Sequence, residues 1–313
     1  MDLGRPVSET ATWRVVVFTN IPGGMIYAMV DETLRPLGHR VVGVVTSPGP
    51  LRRRSSAYLD VVAAVSPDVD VLVSNHPGRW AAMLAPLRPD LIVCGGMPWR
   101  IPADVLALPR LGAINLHPAR LPKYRGPCAI EWAFRNGDAE LGFTVHRMAA
   151  DFDTGPILAQ GSVPIDDDDD HDSLAAKFGP LLPGVLGQAL ERVARGDPGE
   201  PQDESQATYA GLFEDAWRTI DWGKPARAIH NQVRSWTGVR DVPQGALGEV
   251  DCDLLQITKT RLLPDGVAGA APPGTVLRRA GEGLVVQCGD GPIEIVAWSR
   301  PDAGLGAAPS RPA

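Results

Sequence analysis

Apolar residues in the first half of the chain fall in short, unbroken, β-branched runs, separated by helical stretches and turns marked by Gly or Pro. Val15–Phe18 leads through a Gly23-Gly24 turn into a helical segment ending near Leu37, and the Gly38-His39 turn feeds Val41–Thr46. Val71–Val73, Leu91–Cys94 and Ile114–Leu116 continue the rhythm, with helical Trp80–Leu87 and Ala103–Leu108 between them. Runs without polar alternation have both faces buried, which predicts an α/β, Rossmann-like, mostly parallel sheet flanked by helices. The turn after the first run reads NIPGGM, not GxGxxG, so the dinucleotide fingerprint is absent.

Beyond Gly155 the pattern changes. Pro156–Pro164 reads as a strand, followed by the acidic run Asp166–Asp170 and an apolar-periodic stretch that starts after Asp172 and Ser173 and reaches about Arg195. Acidic side chains at a helix start cap free N–H groups and complement the dipole. With only His171 as a second ligand type, the run reads as a solvated turn with an N-cap, and no metal is expected. Gly196–Gln206 is polar and rich in Pro and Gly, which marks a linker. A helix over Ala226–Trp236 and short β-like runs at Leu254–Ile257, Gly274–Leu277, Gly283–Gln287 and Ile293–Trp298 predict a small β-rich, OB-like second domain. The expected organisation is a flexible start over 1–12, a catalytic domain over 13–195, a linker over 196–206, the OB-like domain over 207–300 and a disordered tail over 301–313.

Composition narrows the function classes. A net charge of −7 disfavours a nucleic-acid coat or a basic membrane binder. The four cysteines include no CxxC pair, which argues against a zinc knuckle or disulfide scaffold. No apolar stretch approaches the roughly 18 to 20 residues of a membrane span and the N-terminus lacks an apolar core, so a cytoplasmic protein is expected.

The chemistry concentrates between Ile114 and Asp138 and in FDTGPI from Phe152. Asn115 and His117 stand two apart at the end of an expected strand, which puts both side chains on one face. Carboxyl ends of parallel strands are where open α/β sheets hold ligands. An amide can donate to a developing oxyanion, an imidazole can exchange a proton near neutral pH, and Asp153 can orient the imidazole or accept a proton. No serine or cysteine stands where a covalent nucleophile is expected, which favours direct transfer. On spacing alone, His117 is equally readable as a structural histidine. His39, His76, His146, His171 and His230 lack motif support and read as surface or turn residues, and Trp217, Trp222 and Trp236 as packing.

The segments NLHPARLPKYRG and FDTGPIL together resemble the signature of the folate-dependent formyltransferases. The likeness covers most of the chain and is strongest to the methionyl-tRNA formyltransferases: DLIVCGGMPWRIPADVLALPRLGAIN, PQDESQATYA, IDWGKPARAIHNQVRSW and PPGTVL through DGPIEI all match. It implies a catalytic set of Asn115, His117 and Asp153, with 10-formyltetrahydrofolate as donor and a primary amine as acceptor. It further implies that the loop Gly95–Pro102 holds the pterin through Met97, Trp99, Arg100 and Ile101, together with Ala149, Ala150 and Asp151; ordinary core packing of Met97 and Trp99 is the competing reading. Arg125 and Gly126 are the candidate acceptor contacts, Arg125 either touching the acceptor or bracing its loop.

The acceptor is read from departures. Relatives that act on tRNA carry a long basic loop after the second strand, where SPGPLRRRSSAYLDV keeps Arg52, Arg53 and Arg54 in a shorter stretch. The family's lysine after ATYA falls on Leu212, a serine common two positions after the histidine is Ala119, and the expected proline-rich turn is WTGVRDVP. From Ala207 onward eleven Lys and Arg face twelve Asp and Glu, a net of −1, where a phosphate-gripping domain needs clustered positive charge. A small-molecule amine, such as an amino sugar or biosynthetic intermediate, is therefore the expected acceptor. Lys224, Arg227 and Arg234 at helical spacing keep tRNA as the alternative, and a non-catalytic folate-binding protein is the other.

Overall fold

A computed structural model describes residues 12–50, 55–238, 245–264, 271–281 and 283–301. The expected flexible start up to residue 11, Arg52 to Arg54, most of the WTGVRDVP turn and the expected tail from residue 302 lie outside the described residues. The chain divides into two compact units. The first holds the described residues up to Ala129, with Glu140–Pro164 and Ala175–Gly211; the second holds Ile130–Ala139, Ile165–Leu174 and the described residues from Leu212 onward.

The first unit is built on seven strands: β1 (Arg14–Thr19), β2 (Arg40–Thr46), β3 (Asp70–Val73), β4 (Leu91–Gly95), β5 (Ala113–His117), β6 (Glu140–Arg147) and β7 (Ile157–Pro164). Their order across the sheet is β3-β2-β1-β4-β5-β6-β7. The pairs from β3 to β5 are parallel, whereas β5–β6 and β6–β7 are antiparallel. Helices α1 (Met25–Leu34), α2 (Ala57–Ala64), α3 (Trp80–Leu84) and α4 (Ala103–Leu106) fill the connections of the parallel part. Every residue of β4 is buried, as is all of β1 after Arg14, which is why these strands read as unbroken apolar runs.

Strand β6 was not expected as an element; it lies between β5 and the edge strand β7. Its register sets His146 opposite Asn115 and Thr144 opposite His117. The strand order reverses between β1 and β4, which opens a crevice outside their carboxyl ends. The loops after β1, β4 and β5 all leave from that end. Gly96, at φ 69°, shows how closely two of them approach: a Cβ there would lie 2.3 Å from the Ile21 side chain.

The expected long helix after Ser173 is two helices, α6 (His171–Phe178) and α7 (Leu182–Ala194), because Pro180 tightens Gly179–Leu181 into a 3-10 turn. The acidic run folds as a cap. Asp170 Oδ1 accepts from the Ser173 N–H at 2.9 Å, and Asp169, itself buried, accepts from the Ser173 hydroxyl at 2.7 Å. Among the described residues no group of three or more His, Cys, Asp or Glu could hold a metal ion, and no helix is long and apolar enough to cross a membrane.

The segment expected as a linker is laced onto the first unit. Glu200 pairs with Ile157 through two backbone hydrogen bonds of 2.8 Å, and Thr208 and Ala210 pair with the Pro122–Arg125 loop. The second unit carries a five-stranded antiparallel sheet of order β10-β11-β12-β9-β8. Its strands are β8 (Ala246–Val250), β9 (Asp253–Leu262), β10 (Val276–Ala280), β11 (Gly283–Gln287) and β12 (Pro292–Ser299). Helix α5 (Ala129–Asn136) lies largely among this unit's residues, and α8 (Ala226–Ser235) packs Ile229 and Val233 into its core beside Trp222 and Trp236.

Candidate active site

Strand β5 delivers Asn115 and His117 to its carboxyl end, and the loop before β7 brings Asp153 to them. The Asn115 amide nitrogen lies 3.2 Å from Asp153 Oδ1, and His117 Nδ1 lies 3.6 Å from Asp153 Oδ2. The three residues singled out in the sequence therefore meet around one carboxylate, whose side chain is only 9% exposed.

Asp153 reaches this place through an uncommon backbone conformation. Its φ is 57°, in the left-handed region. Gly155, two residues on, has no room for a side chain, since a Cβ would sit 1.8 Å from the Arg147 carbonyl oxygen. The carboxylate is held by the Gly126 backbone N–H, which donates to Oδ2 at 2.8 Å. Gly126 itself sits at φ 110°, and a Cβ there would lie 2.9 Å from the Ala210 carbonyl oxygen and 2.8 Å from the Tyr209 ring. FDTG and YRG are thus two halves of one construction: the first turns the carboxylate inward, and the second supplies its donor.

Two histidines flank that carboxylate. The sequence expectation placed His146 at the surface; the structure corrects this, because His146 is 2% exposed and its Nε2 lies 3.5 Å from Asp153 Oδ1 and 3.2 Å from the Asn115 amide nitrogen. Its position follows from the β5–β6 register. His230 is likewise buried, against Thr260 and the Asp167 carbonyl, and His171 is enclosed beside Phe134 and Glu131. Neither is a surface residue.

The ring nitrogens have defined roles. His117 Nε2 is 2.7 Å from the Tyr124 carbonyl oxygen, and His146 Nδ1 is 2.8 Å from the Arg147 carbonyl oxygen. A carbonyl oxygen only accepts, so both nitrogens carry hydrogen. Burial pulls His117 below its ordinary value despite the attraction of Asp153, which makes the imidazole neutral at neutral pH and leaves Nδ1 bare toward the carboxylate. For Asp153, burial pushes upward, but His146, the His117 imidazolium that forms in acid and the Gly126 N–H outweigh it and bring the carboxyl down to about 2. The arrangement is an ionised carboxylate beside a neutral imidazole that has one nitrogen free to take a proton.

Arg125 braces its loop. Its guanidinium donates to Glu204 at 2.7 and 2.9 Å and to Gln202 Oε1 at 2.8 and 3.0 Å, and its side chain is 10% exposed, so four of its five N–H donors go to the 196–206 segment. Gln202 was not anticipated from the sequence. Its amide donates to the Asp153 and Gly155 carbonyls, both at 2.7 Å.

The residues expected at a pterin divide into two groups. Met97 and Trp99 are half-buried against the core cluster that contains Phe18 and Trp80, and the Trp99 indole N–H donates to Ser47 Oγ at 2.8 Å. Ile101 is buried in that cluster. Arg100 ties the loop after β4 to the other expected segment, donating to the Ala150 carbonyl and to Asp151 at 3.1 Å, with Ala149, Ala150 and Asp151 exposed. Apolar side chains beside exposed backbone groups suit a flat ligand with polar edges.

Comparison with known proteins accords with this geometry. Residues 13–190 match the formyl transferase family model, and residues 214–303 match the model of the formyl transferase C-terminal domain. The methionyl-tRNA formyltransferase of Pelobacter propionicus is 33% identical over 296 residues, 90% of this chain and 87% of that protein. That of Caldanaerobacter subterraneus is 35% identical over 268 residues, covering 83% of this chain and 84% of the relative. Among solved structures, an N-formyltransferase from Helicobacter canadensis, in complex with folinic acid and dTDP-3-aminofucose, superposes with a TM-score of 0.65 at 14% identity, over 92% of this chain and all of that one. HypX from Aquifex aeolicus in complex with tetrahydrofolic acid gives a TM-score of 0.65 at 20% identity over 92% of this chain, which spans 44% of HypX. At such identities the two structures establish the fold alone.

Proposed function

We propose, because the chain belongs to the formyl transferase family, that it moves the formyl group of 10-formyltetrahydrofolate to the amine of an aminoacyl-tRNA. The observation that carries the chemistry is the meeting of Asn115, His117 and Asp153 around one ionised carboxylate at the carboxyl end of β5. The neutral amine attacks the formyl carbon, a C–N bond forms, and the carbonyl oxygen becomes an oxyanion. One N–H of Asn115 turns from His146 to that oxyanion, exchanging a neutral acceptor for an ionic one. The proton released by the amine passes to the bare Nδ1 of His117, where Asp153 stabilises the imidazolium. Collapse of the intermediate breaks the bond to N10 of the folate, which leaves with a proton. Met97, Trp99 and the Ala149–Asp151 segment hold the pterin.

Two observations support the tRNA acceptor over the small amine expected from charge. Identity to methionyl-tRNA formyltransferases runs along most of the chain, and the match extends to the C-terminal domain. A small-molecule amine stays as the second reading on specific grounds: the net charge of −1 from Ala207 onward, and Leu212 where relatives carry lysine. Incubation with 10-formyltetrahydrofolate and either charged initiator tRNA or a panel of amino sugars separates the two. Formylated tRNA at useful rates supports the first reading; turnover with a sugar amine alone replaces it with the second, and no turnover with any amine favours a folate-binding protein.

A further inference from the structure

We propose that Gln202 is a positioning residue for the active site, holding the left-handed turn of Asp153 in register with the loop that supplies Gly126. The proposal rests on the formyltransferase reading above. Gln202 lies between the two family-matched regions, in a segment whose composition suggests only a linker.

The side-chain amide has two hydrogens and two lone pairs. Nε2 stands 2.7 Å from the carbonyl oxygens of both Asp153 and Gly155, and Oε1 accepts from Arg125 Nη2 and Nε at 2.8 and 3.0 Å. All four capacities are engaged. The amide's orientation is also fixed chemically: two carbonyls on one side can only accept, and a guanidinium on the other can only donate.

These bonds close a ring through three segments far apart in sequence. Gln202 grips the backbone of Asp153, the Asp153 carboxylate accepts from Gly126, Gly126 follows Arg125, and Arg125 returns to Gln202. The ring constrains a turn with an unfavourable backbone, because Asp153 at φ 57° sits where non-glycine residues seldom go. Without the amide, two inward carbonyls lose their donor and the turn loses its outer restraint. Glu204 is the other partner of Arg125, but its side chain is 71% exposed, so it anchors the loop weakly.

The test compares Gln202→Ala, Gln202→Met, Gln202→Glu and Glu204→Gln with the unaltered full-length chain. Misplacing a reacting group by about 1 Å costs on the order of 100-fold. Formyl transfer by Gln202→Ala is therefore expected to lose about 10- to 100-fold in kcat, with KM for 10-formyltetrahydrofolate within about threefold. Gln202→Met keeps the volume and should lose as much; Gln202→Glu keeps the acceptor for Arg125 but turns a carboxylate oxygen on two carbonyls, and should do no better. Glu204→Gln should stay within about threefold of the original kcat. Carboxyl titration of Asp153 by NMR, which needs no turnover, should move upward in Gln202→Ala. Should the unaltered protein formylate nothing, the functional reading fails while this titration still judges Gln202. An unchanged titration, or kcat within about threefold in a folded Gln202→Met, overturns the proposal.

Discussion

Replacing Asp153 with asparagine isolates the charge at the centre of the site. Asp153 Oδ2 accepts from Gly126 N–H at 2.8 Å and Oδ1 faces the Asn115 amide nitrogen at 3.2 Å. An asparagine offers one accepting oxygen, so its NH2 must meet one of these donors head-on. The carboxyl's fall from its ordinary 3.8 to about 2 corresponds to about 2 kcal/mol of stability supplied by the ionised form. The sign follows from a lowered folded-state value: this contribution is present above pH 3.8 and is lost as pH falls toward 2. For a unit of this size, about 2 kcal/mol corresponds to about 4–8 °C in Tm. Thermal unfolding followed from pH 6 to pH 2 should show the original protein losing this increment below pH 4 and Asp153→Asn lacking that part of the slope. Formyl transfer by the variant should fall about 100- to 10,000-fold at neutral pH. Matching slopes for the two proteins, or transfer within about threefold of the original, would mean that the Asp153 charge does not serve stability or catalysis, respectively.

Gly126→Ala forces a Cβ to 2.9 Å from the Ala210 carbonyl oxygen at φ 110°, so calorimetry should show a destabilisation of about 3 kcal/mol and kinetics a lower kcat; unaltered Tm and kcat would mean the loop relaxes freely. His146→Leu removes the ring beside Asn115 and Asp153, so kcat/KM should drop about tenfold, the equivalent of about 1.4 kcal/mol. The acid limb of its pH–rate profile, set by the proton-accepting His117, should move up, because His146 adds to the burial that lowers His117, and an unmoved limb would contradict that role. Burial pushes the thiols of Cys94 and Cys288 up to about 12, and Cys128 is buried, so iodoacetamide at pH 8 should label only the exposed Cys252, as mass spectrometry of the native protein can show. Native labelling of Cys94 would mean that the strand end beneath the site opens.

The central parallel strands were legible because full burial leaves an unbroken apolar imprint, as in Leu91–Cys94 and Val15–Phe18, whereas the edge strand Asp70–Val73 is not buried. The candidate site was legible in part from short spacing, which puts Asn115 and His117 on one face, while their grouping with Asp153 came from the resemblance of NLHPARLPKYRG and FDTGPIL to a known family. His146 escaped because its relevance depends on pairing between β5 and a strand that had not been identified; the β-branched stretch LGFTVHRM just before FDTG was the available signal. Gln202 escaped for a different reason. A glutamine in a polar segment has no local signature, and its four hydrogen bonds exist only once three distant loops converge. The partners of Arg125 were likewise illegible until Glu204 and Gln202 stood opposite it. Charge counting does not decide the acceptor by itself, since a total of −1 over a domain does not locate its cations.

Direct transfer of a formyl group from folate to an amine by Asn115, His117 and Asp153 couples the two products one to one. A quenched single-turnover reaction tests it most directly, with formyl-labelled 10-formyltetrahydrofolate, charged initiator tRNA, and either the original protein or Asn115→Ala. The original protein should form one N-formylated acceptor for each tetrahydrofolate released, and the variant should be slower by about 100- to 1000-fold with its folate affinity retained. Equal rates for the two proteins, or tetrahydrofolate released as free formate with no formylated amine, would contradict the account.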